Sequence, residues 1–483
     1  MKIRIKRRQA ALALTLASSM AMAALLSACT SMATMTAASS PSTDSTPPLI
    51  FVHGNGDTAA LWQTTLWRYE SNGWPRDRLY AIDFPNPLAR DDDNKLQPGH
   101  TSTTEQRDYL QAEIDNVLKA TGASKVVLIA NSRGGNAVRN VVLTEYQTDP
   151  AAVKVSHAIL GGTPNHGVWA VKGMREANEF SGTGPFLSML NAPKNAAGDE
   201  VTGPVKWMTV RSDNNDKFAQ PDGVWIGAKG TPTNIPYTGP ELKGATNIVI
   251  AGIDHRETSY SPAAFAATYK FITGSAPATV EIKPEARVSL SGKVTGLGAD
   301  PRNAATGNYG NNLPLPGAQL DIYAVQPPSG NSPGARTSAA AYSKRIGSDG
   351  LWGPFDTQPG TAYEFVISAP GYAVTHIYRS PFPRSSNIVH LRAERIADSD
   401  KDAKAIVILT RPRGYLDAAR DKMLLDGKAP PGLPPTGAGL AASKLKLSSV
   451  GQRSISAEFN GEKVAGQTWD ASQGHLVFLE ISQ

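Results

Sequence analysis

The stretch KVVLIANSRGGNAVRNVVL, Lys125 to Leu143, decides the fold. Its first part is apolar and β-branched, the pattern of a strand buried on both faces. A sharp turn of mostly small residues follows around Ser132, and the pattern then continues as a helix from Asn136. A serine on such a strand-to-helix turn, in the form G-x-S-x-G, stands exposed at the end of its strand. Here Ala130 takes the place of the first glycine. That position needs a small side chain because strand and helix pack closely around the turn, and alanine meets the need at small cost. Asn131, before the serine, is of a type that adopts unusual backbone angles more readily than most. Ser132 is therefore a candidate nucleophile.

Strand and helix patterns alternate on either side. LIFVHGNGD, from Leu49, reads as a strand ending in a Gly-rich turn, and RLYAIDFP as a second strand. Thr103 to Gly122 carries Leu110, Ile114, Val117 and Leu118 at helical spacing and stops on a glycine. KVVLIA is a third strand, KVSHAILGGTPNHG a fourth, VKWMTVRS a fifth and TNIVIAGIDH a sixth. SPAAFAATYKFITG closes as a helix capped by Ser261 and Pro262. Repeated βα units with near-continuous apolar strands predict a mostly parallel sheet of about six strands, covered by helices, over residues 48–274.

From Ser275 the helical periodicity fades. VSLSGKVTGLG, AQLDIYAVQ, AYEFVISAPGY and NIVHLRAE are short alternating runs between Gly/Pro/Asn turns, which predict a β-sandwich or barrel over 275–395. The order SGKVTG, PLPGAQLDIYA, SDGLWGPFDTQPGTAYEFVISAPGY resembles carboxypeptidase-regulatory-like and Cna-B-like β-modules. Residues 396–483 add AIVILTRP, RSISAEFNGEKV and HLVFLEIS. These form either a third small β-domain or the rest of one larger β-fold.

The N-terminus reads as an export segment. MKIRIKRR is basic, an apolar run follows to Leu26, and LSAC closes it at Cys29. LSAC resembles a bacterial lipobox, which implies a signal peptide over 1–28 and lipidation of Cys29. Cys29 is the single cysteine in 483 residues, so no intramolecular disulfide is available. Thr30 rather than aspartate follows it, which by the same resemblance favours the outer membrane. Residues 29–47 are Ser/Thr/Ala/Pro-rich, the composition of a flexible tether. The net charge of +6 misleads: five of the positive charges, and no negative ones, lie in the first 28 residues. The near-neutral remainder gives no argument for a nucleic-acid partner.

Taken with the strand order, the turn at Ser132 resembles that of the α/β-hydrolase lipases and esterases, particularly the class 2 kind. The resemblance spans residues 48–274. In that family the acid and the base follow the serine in chain order, each after a strand. Of eight histidines, His255 in IVIAGIDHRETSYSP follows the last strand of the sheet, where the base belongs. His53 and His166 flank the same face and are its rivals. Asp213, Asp216 and Asp222 follow the fifth strand. The family's acid opens an Asp-x-x-apolar-x-Pro loop, a form that DKFAQP matches from Asp216 to Pro221, which implies Asp216. The resemblance also assigns the two oxyanion-binding N–H groups, to Arg133 after the serine and to Asn55 in HGNG.

Gly167 to Gly203, between the fourth and fifth strands, is amphipathic and Gly-punctuated. It is either a cap, with Phe180, Phe186, Leu187, Met189 and Leu190 lining an acyl pocket, or a surface helix packed on the sheet. Metal ligation has little support: DSDKD, from Asp398, lacks the glycine and bidentate glutamate of a calcium loop. The resemblance implies a serine carboxylic ester hydrolase working through an acyl-enzyme without a cofactor, acting on an ester or lipid and tied to a membrane through Cys29. The rival functions are a polyester depolymerase, whose β-module would bind the polymer, a hydrolase of amide, lactone or thioester bonds that shares the same triad, and a non-catalytic surface binding protein.

Overall fold

The computed structural model describes residues 46–223, 230–299, 308–449 and 451–482. The expected signal peptide, Cys29 and nearly all of the tether lie outside the described residues.

Six strands form the first sheet: β1 Leu49–Val52, β2 Leu79–Ala81, β3 Val126–Asn131, β4 Val155–Gly161, β5 Lys206–Ser212 and β6 Thr246–Ile250. Their order is β2-β1-β3-β4-β5-β6 and every pairing is parallel. This is the α/β-hydrolase fold in a reduced form. β1 and β3 are buried along their whole length, as their unbroken apolar sequence requires in a sheet covered on both faces. Successive side chains point to opposite faces. Ile50, Val52 and Leu128 pack under helices α2 (Thr103–Thr121) and α3 (Arg133–Thr148). Leu49, Phe51, Val127 and Ile129 pack with Trp62, Tyr69 and Phe265 under α1 (Gln63–Ser71) and α6 (Pro262–Thr273).

Two helices end as their sequence dictates. Ser102 and Glu105 form a reciprocal capping box at the start of α2, and Gly122 takes φ 68° at its end. Ser261 caps α6, with Pro262 in its first turn and Gly274 at φ 80°. The sequence places the start of α3 too late. It begins at Arg133, directly after Ser132, because Gly134 lies against the end of β1. A Cβ on Gly134 would stand 2.6 Å from the His53 carbonyl oxygen and 2.7 Å from that of Val52.

Among the described residues the β region builds three main sheets, besides a two-stranded ribbon of Gly298–Ala299 and Asn308–Tyr309, rather than the two of a sandwich or the closed wall of a barrel. Strands β7 Ser289–Gly296, β10 Leu351–Asp356 and β13 Ser386–Ala393 form one outer sheet. The central sheet has seven strands: β8 Gln319–Val325, β9 Tyr342–Arg345, β11 Ala362–Ser368, β12 Val374–Arg379, β14 Ala405–Thr410, β16 Ala442–Leu447 and β19 His475–Glu480. The other outer sheet holds β15 Met423–Leu425, β17 Ser454–Phe459 and β18 Glu462–Gln467. Leu320, Phe365, Ile406 and Phe478 face the first outer sheet. Val407, Leu409, Val477 and Leu479 face the second, beside Ile455 and Phe459. AIVILT and HLVFLE are near-continuously apolar because they are buried on both faces.

A boundary at 395 does not separate two folding units. β19 lies between β12 and β14 and pairs in parallel with each. The last described strand therefore completes a sheet begun at Gln319.

Candidate active site

The parallel register brings the carboxyl ends of the strands to one edge, where an open α/β sheet places its ligand. Val52 pairs with Ala130, so the Gly-rich turn after β1 lies beside Ser132. The next strand along pairs Asn131 with Gly161, and the Ser132 N–H donates to the Gly161 carbonyl over 2.8 Å. Gly54 is close enough that a Cβ there would stand 2.8 Å from Ser132 Cβ. Ser132 itself takes φ 54°, ψ −128°. Non-glycine residues rarely hold a positive φ, and those that do in a well-packed turn cluster at functional sites. Ala130 is buried in β3 and occupies the small-residue position without disturbing the turn.

His255 and Asp216 come together behind the serine. His255 Nδ1 lies 2.9 and 2.8 Å from the two Asp216 carboxylate oxygens. Both residues are buried. The carboxylate only accepts, so Nδ1 carries the proton and donates it, leaving Nε2 as the ring's basic nitrogen. Asp216 Oδ1 also accepts from the Phe218 N–H over 2.8 Å, and the Phe218 ring meets His255 edge-on at 4.6 Å. Asp213 is used elsewhere: it accepts from Gly252, Asn214 and Ser212 at the ends of β5 and β6. Asp222 is exposed. His53 donates through Nδ1 to the Gly54 carbonyl and accepts through Nε2 from the Phe84 N–H. With both nitrogens engaged, and its pKa lowered by burial, it shapes the turn. His166 pairs with Glu200 at 2.9 Å, which raises its pKa.

Ser132 and His255 line a cleft of about 300 Å³. Asn55 lines it too, its side chain accepting from the Ala89 N–H over 2.7 Å. Among the described residues the Asn55 N–H meets no acceptor. Arg133 is the first residue of α3, so its N–H is one of the donors a helix start leaves unpaired. Two N–H groups beside a serine on a strained turn can hold a developing oxyanion.

The segment after β4 divides in two. Val168, Trp169, Arg175, Asn178 and Phe180 wall the cleft. The second half turns away: α4 (Pro185–Asn191) packs Leu187 and Leu190 on Leu143 of α3, with Phe186 beside them, while Met189 faces outward, 45% exposed. Of the five apolar residues expected at an acyl pocket, only Phe180 reaches the cleft. Phe186, Leu187 and Leu190 serve the helix-on-helix contact, and Met189 serves neither.

Several side-chain contacts in and beneath the cleft carry no local sequence signal. The Arg133 side chain is fully buried and pairs with Glu179 at 2.7 Å. It also donates to the Pro87 carbonyl and to Thr101, so it ties the wall segment to the elbow. Asn131 Nδ2 donates to the carbonyls of Gly161 and His255, at 3.2 Å each. Arg256 and Asp57 form an ion pair of 3.1 Å at the cleft edge. Tyr415, from the β region, forms part of the wall. The sequence marked Asn131, Arg133 and Arg256 only as neighbours of Ser132 and His255, and gave no sign of the partners their side chains take. Among the described residues no group of His, Cys, Asp and Glu side chains is arranged to hold a metal ion.

Residues 46–179 match the family described as lipase (class 2), and residues 286–396 match the lipase C-terminal domain. Steryl acetyl hydrolase 1 of Saccharomyces cerevisiae is 35% identical over 107 residues, 21% of this chain and 23% of that protein. The chain thus aligns with about a quarter of that curated relative's length. Aspergillus fumigatus lipase B shares 15% identity over 48% of this chain and 54% of its own, with a TM-score of 0.35. Phospholipase PlaB from Legionella pneumophila shares 13% over 74% of this chain and 95% of its own, with a TM-score of 0.34.

Proposed function

We propose, on the premise that this chain is an α/β-hydrolase of the lipase and esterase kind, that it hydrolyses carboxylic esters through Ser132, His255 and Asp216. The observation that carries the reading is the contact of His255 Nδ1 with both Asp216 oxygens, at the cleft lined by the strained Ser132.

A serine hydroxyl is a weak nucleophile until a base removes its proton. His255 Nε2 takes the Ser132 Oγ proton as Oγ bonds to the ester carbonyl carbon. Asp216 holds the ring's tautomer and stabilises the imidazolium. The carbonyl oxygen becomes an oxyanion that accepts from the Asn55 and Arg133 N–H groups, a contribution of about 3 kcal/mol per donor. The carbon–alkoxy bond then breaks, and the imidazolium proton passes to the leaving alcohol. Water, deprotonated by the same Nε2, attacks the acyl-enzyme. Collapse returns the proton to Oγ and releases the acid. A cleft at the small end of the range for ligand sites suits a short acyl chain.

The test is hydrolysis of p-nitrophenyl esters from acetate to palmitate. Ser132→Ala should lower kcat by about 10⁴-fold or more, and Asp216→Asn by about 10⁴-fold. The parent should prefer butyrate to palmitate. Parent-like rates in Ser132→Ala would remove the serine from the mechanism.

We further propose export and anchoring at a lipidated Cys29, on the LSAC sequence alone. Cells fed an alkyne-tagged palmitate should label the parent in the membrane fraction and leave Cys29→Ser unlabelled. Equal labelling of both would reject the anchor.

A further inference from the structure

The loop that carries His255 is held from outside its own domain. Asp254, immediately before it, is fully buried. Its Oδ1 accepts from the N–H groups of Arg256 and Glu257, which shapes the turn into α5 (Glu257–Tyr260). Its Oδ2 accepts from Arg411 Nη1 over 3.1 Å and from the Tyr415 N–H over 2.8 Å. Arg411 reaches onward through Nη2 to Glu257, at 2.7 Å. Arg420 takes the other Glu257 oxygen at 2.6 Å and the Gly252 carbonyl at 2.8 Å. Two arginines of the β region therefore grip both sides of the His255–Arg256 pair.

The same strand-end loop enters the cleft. The Tyr415 ring meets two cations of the hydrolase domain, Lys217 Nζ at 4.3 Å from its centre and the Arg256 guanidinium at 5.1 Å. Lys217 donates to the Gly439 carbonyl and Arg256 to the Pro412 carbonyl, 2.8 and 2.9 Å. The ring lines the cleft with Ser132 and His255, and among the described residues its hydroxyl meets no partner. All of these β-region residues lie beyond residue 396, where the lipase C-terminal match ends.

We infer that the segment after residue 396 completes the active site, with Arg411 positioning His255 through Asp254 and Tyr415 setting substrate size as a wall of the cleft. The inference rests on the proposed roles of Ser132 and His255. Arg411 suits its place because a planar guanidinium offers two parallel N–H groups, one for each acid, which a lysine cannot. A wall residue discriminates by the space and hydrogen bonds it offers, and one added methylene is worth about tenfold or more in such a pocket.

The test uses the full chain with p-nitrophenyl butyrate and octanoate, comparing parent, Ser132→Ala, Arg411→Lys, Tyr415→Leu and Tyr415→Phe. Arg411→Lys should lower kcat about tenfold or more while KM changes less than about twofold, the pattern of lost transition-state alignment. Tyr415→Leu should raise the octanoate-to-butyrate ratio of kcat/KM about tenfold. Tyr415→Phe, which keeps the ring, should keep the parent ratio. A folded Arg411→Lys and Tyr415→Leu with parent kcat and parent ratio, beside an inactive Ser132→Ala, would overturn the inference alone. Activity surviving in Ser132→Ala would instead overturn the reading of the site beneath it. Should Arg411→Lys not fold, the Tyr415 ratio decides.

Discussion

Ser132 stores strain where the chemistry needs it. At φ 54°, ψ −128° a side-chain-bearing residue costs about 1–3 kcal/mol, offset by the packing of β1, β3 and α3 around it. Glycine would relieve that strain and forfeit about 0.4–1 kcal/mol through a freer unfolded chain. The strain term is larger, so Ser132→Gly should be more stable than the parent by about 1 kcal/mol while losing hydrolysis. A thermal melt beside an ester assay checks both. At Ala130 the same exchange costs stability only. Ala130→Gly should keep activity and lose about 0.5–1 kcal/mol, because glycine in a strand gives up more backbone freedom on folding.

The wall of the cleft is a loop element whose buried charge is held by one pair. Arg133 and Glu179 are paired in the interior, and Val168 and Gly182 close the loop through hydrogen bonds to Phe180 and Trp169. Removing one partner of a buried pair leaves an uncompensated charge and costs about 3–5 kcal/mol. Glu179→Ala should therefore destabilise the fold by about that much in urea and raise KM more than it lowers kcat, since the wall binds substrate without touching the reacting atoms. The double variant Arg133→Met with Glu179→Ala should cost less than the two losses added, because neither charge is then stranded. A denaturation series on the three variants measures that coupling.

At the scale of the molecule, hydrolase domain and β region share structure rather than lying side by side. Asn312 donates to the carbonyls of Asp57 and Phe84, Trp67 to that of Ser385, and Arg384 pairs with Glu70. A chain ending at 396 loses β14, β16 and β19 from the central sheet and both arginines from Asp254. It should be protease-sensitive and inactive even though the strands of the first sheet, the serine and the histidine remain. The buried junction also makes stability respond to pH. Asp254 faces Glu257, Arg411 and Arg420, with Arg256 and Lys217 nearby; burial first, then Glu257, push its pKa up to about 6. A carboxyl raised in the folded state binds its proton more tightly there than in the unfolded chain. Its contribution to stability therefore falls as pH rises from about 4 through about 6 and levels off only above that. Asp254→Asn does not titrate. The stability of the parent minus that of Asp254→Asn, from urea unfolding at pH 4.5 and 7.5, should be smaller at pH 7.5.

Much of the hydrolase half is local information. Strand runs, the Gly122 and Gly274 stops, the Ser102 and Ser261 caps and the order of Ser132, Asp216 and His255 all reside in short windows, where periodicity and turn chemistry act. The sequence by itself determined a parallel sheet with a serine on its central turn and a histidine after its last strand. It also carried, in AIVILT and HLVFLE, the signature of strands buried on both sides, but nothing in those windows states which strands pair. Only the tertiary structure decided that β19 lies between β12 and β14, that α4 packs on Leu143 instead of lining the cleft, and that Tyr415 and Arg411 close on the loop of His255. Those contacts join residues up to 161 positions apart. They are selected by the packing of whole sheets and by the cost of leaving Asp254 and Glu257 buried without a cation, and that cost exists only once the chain has folded around them.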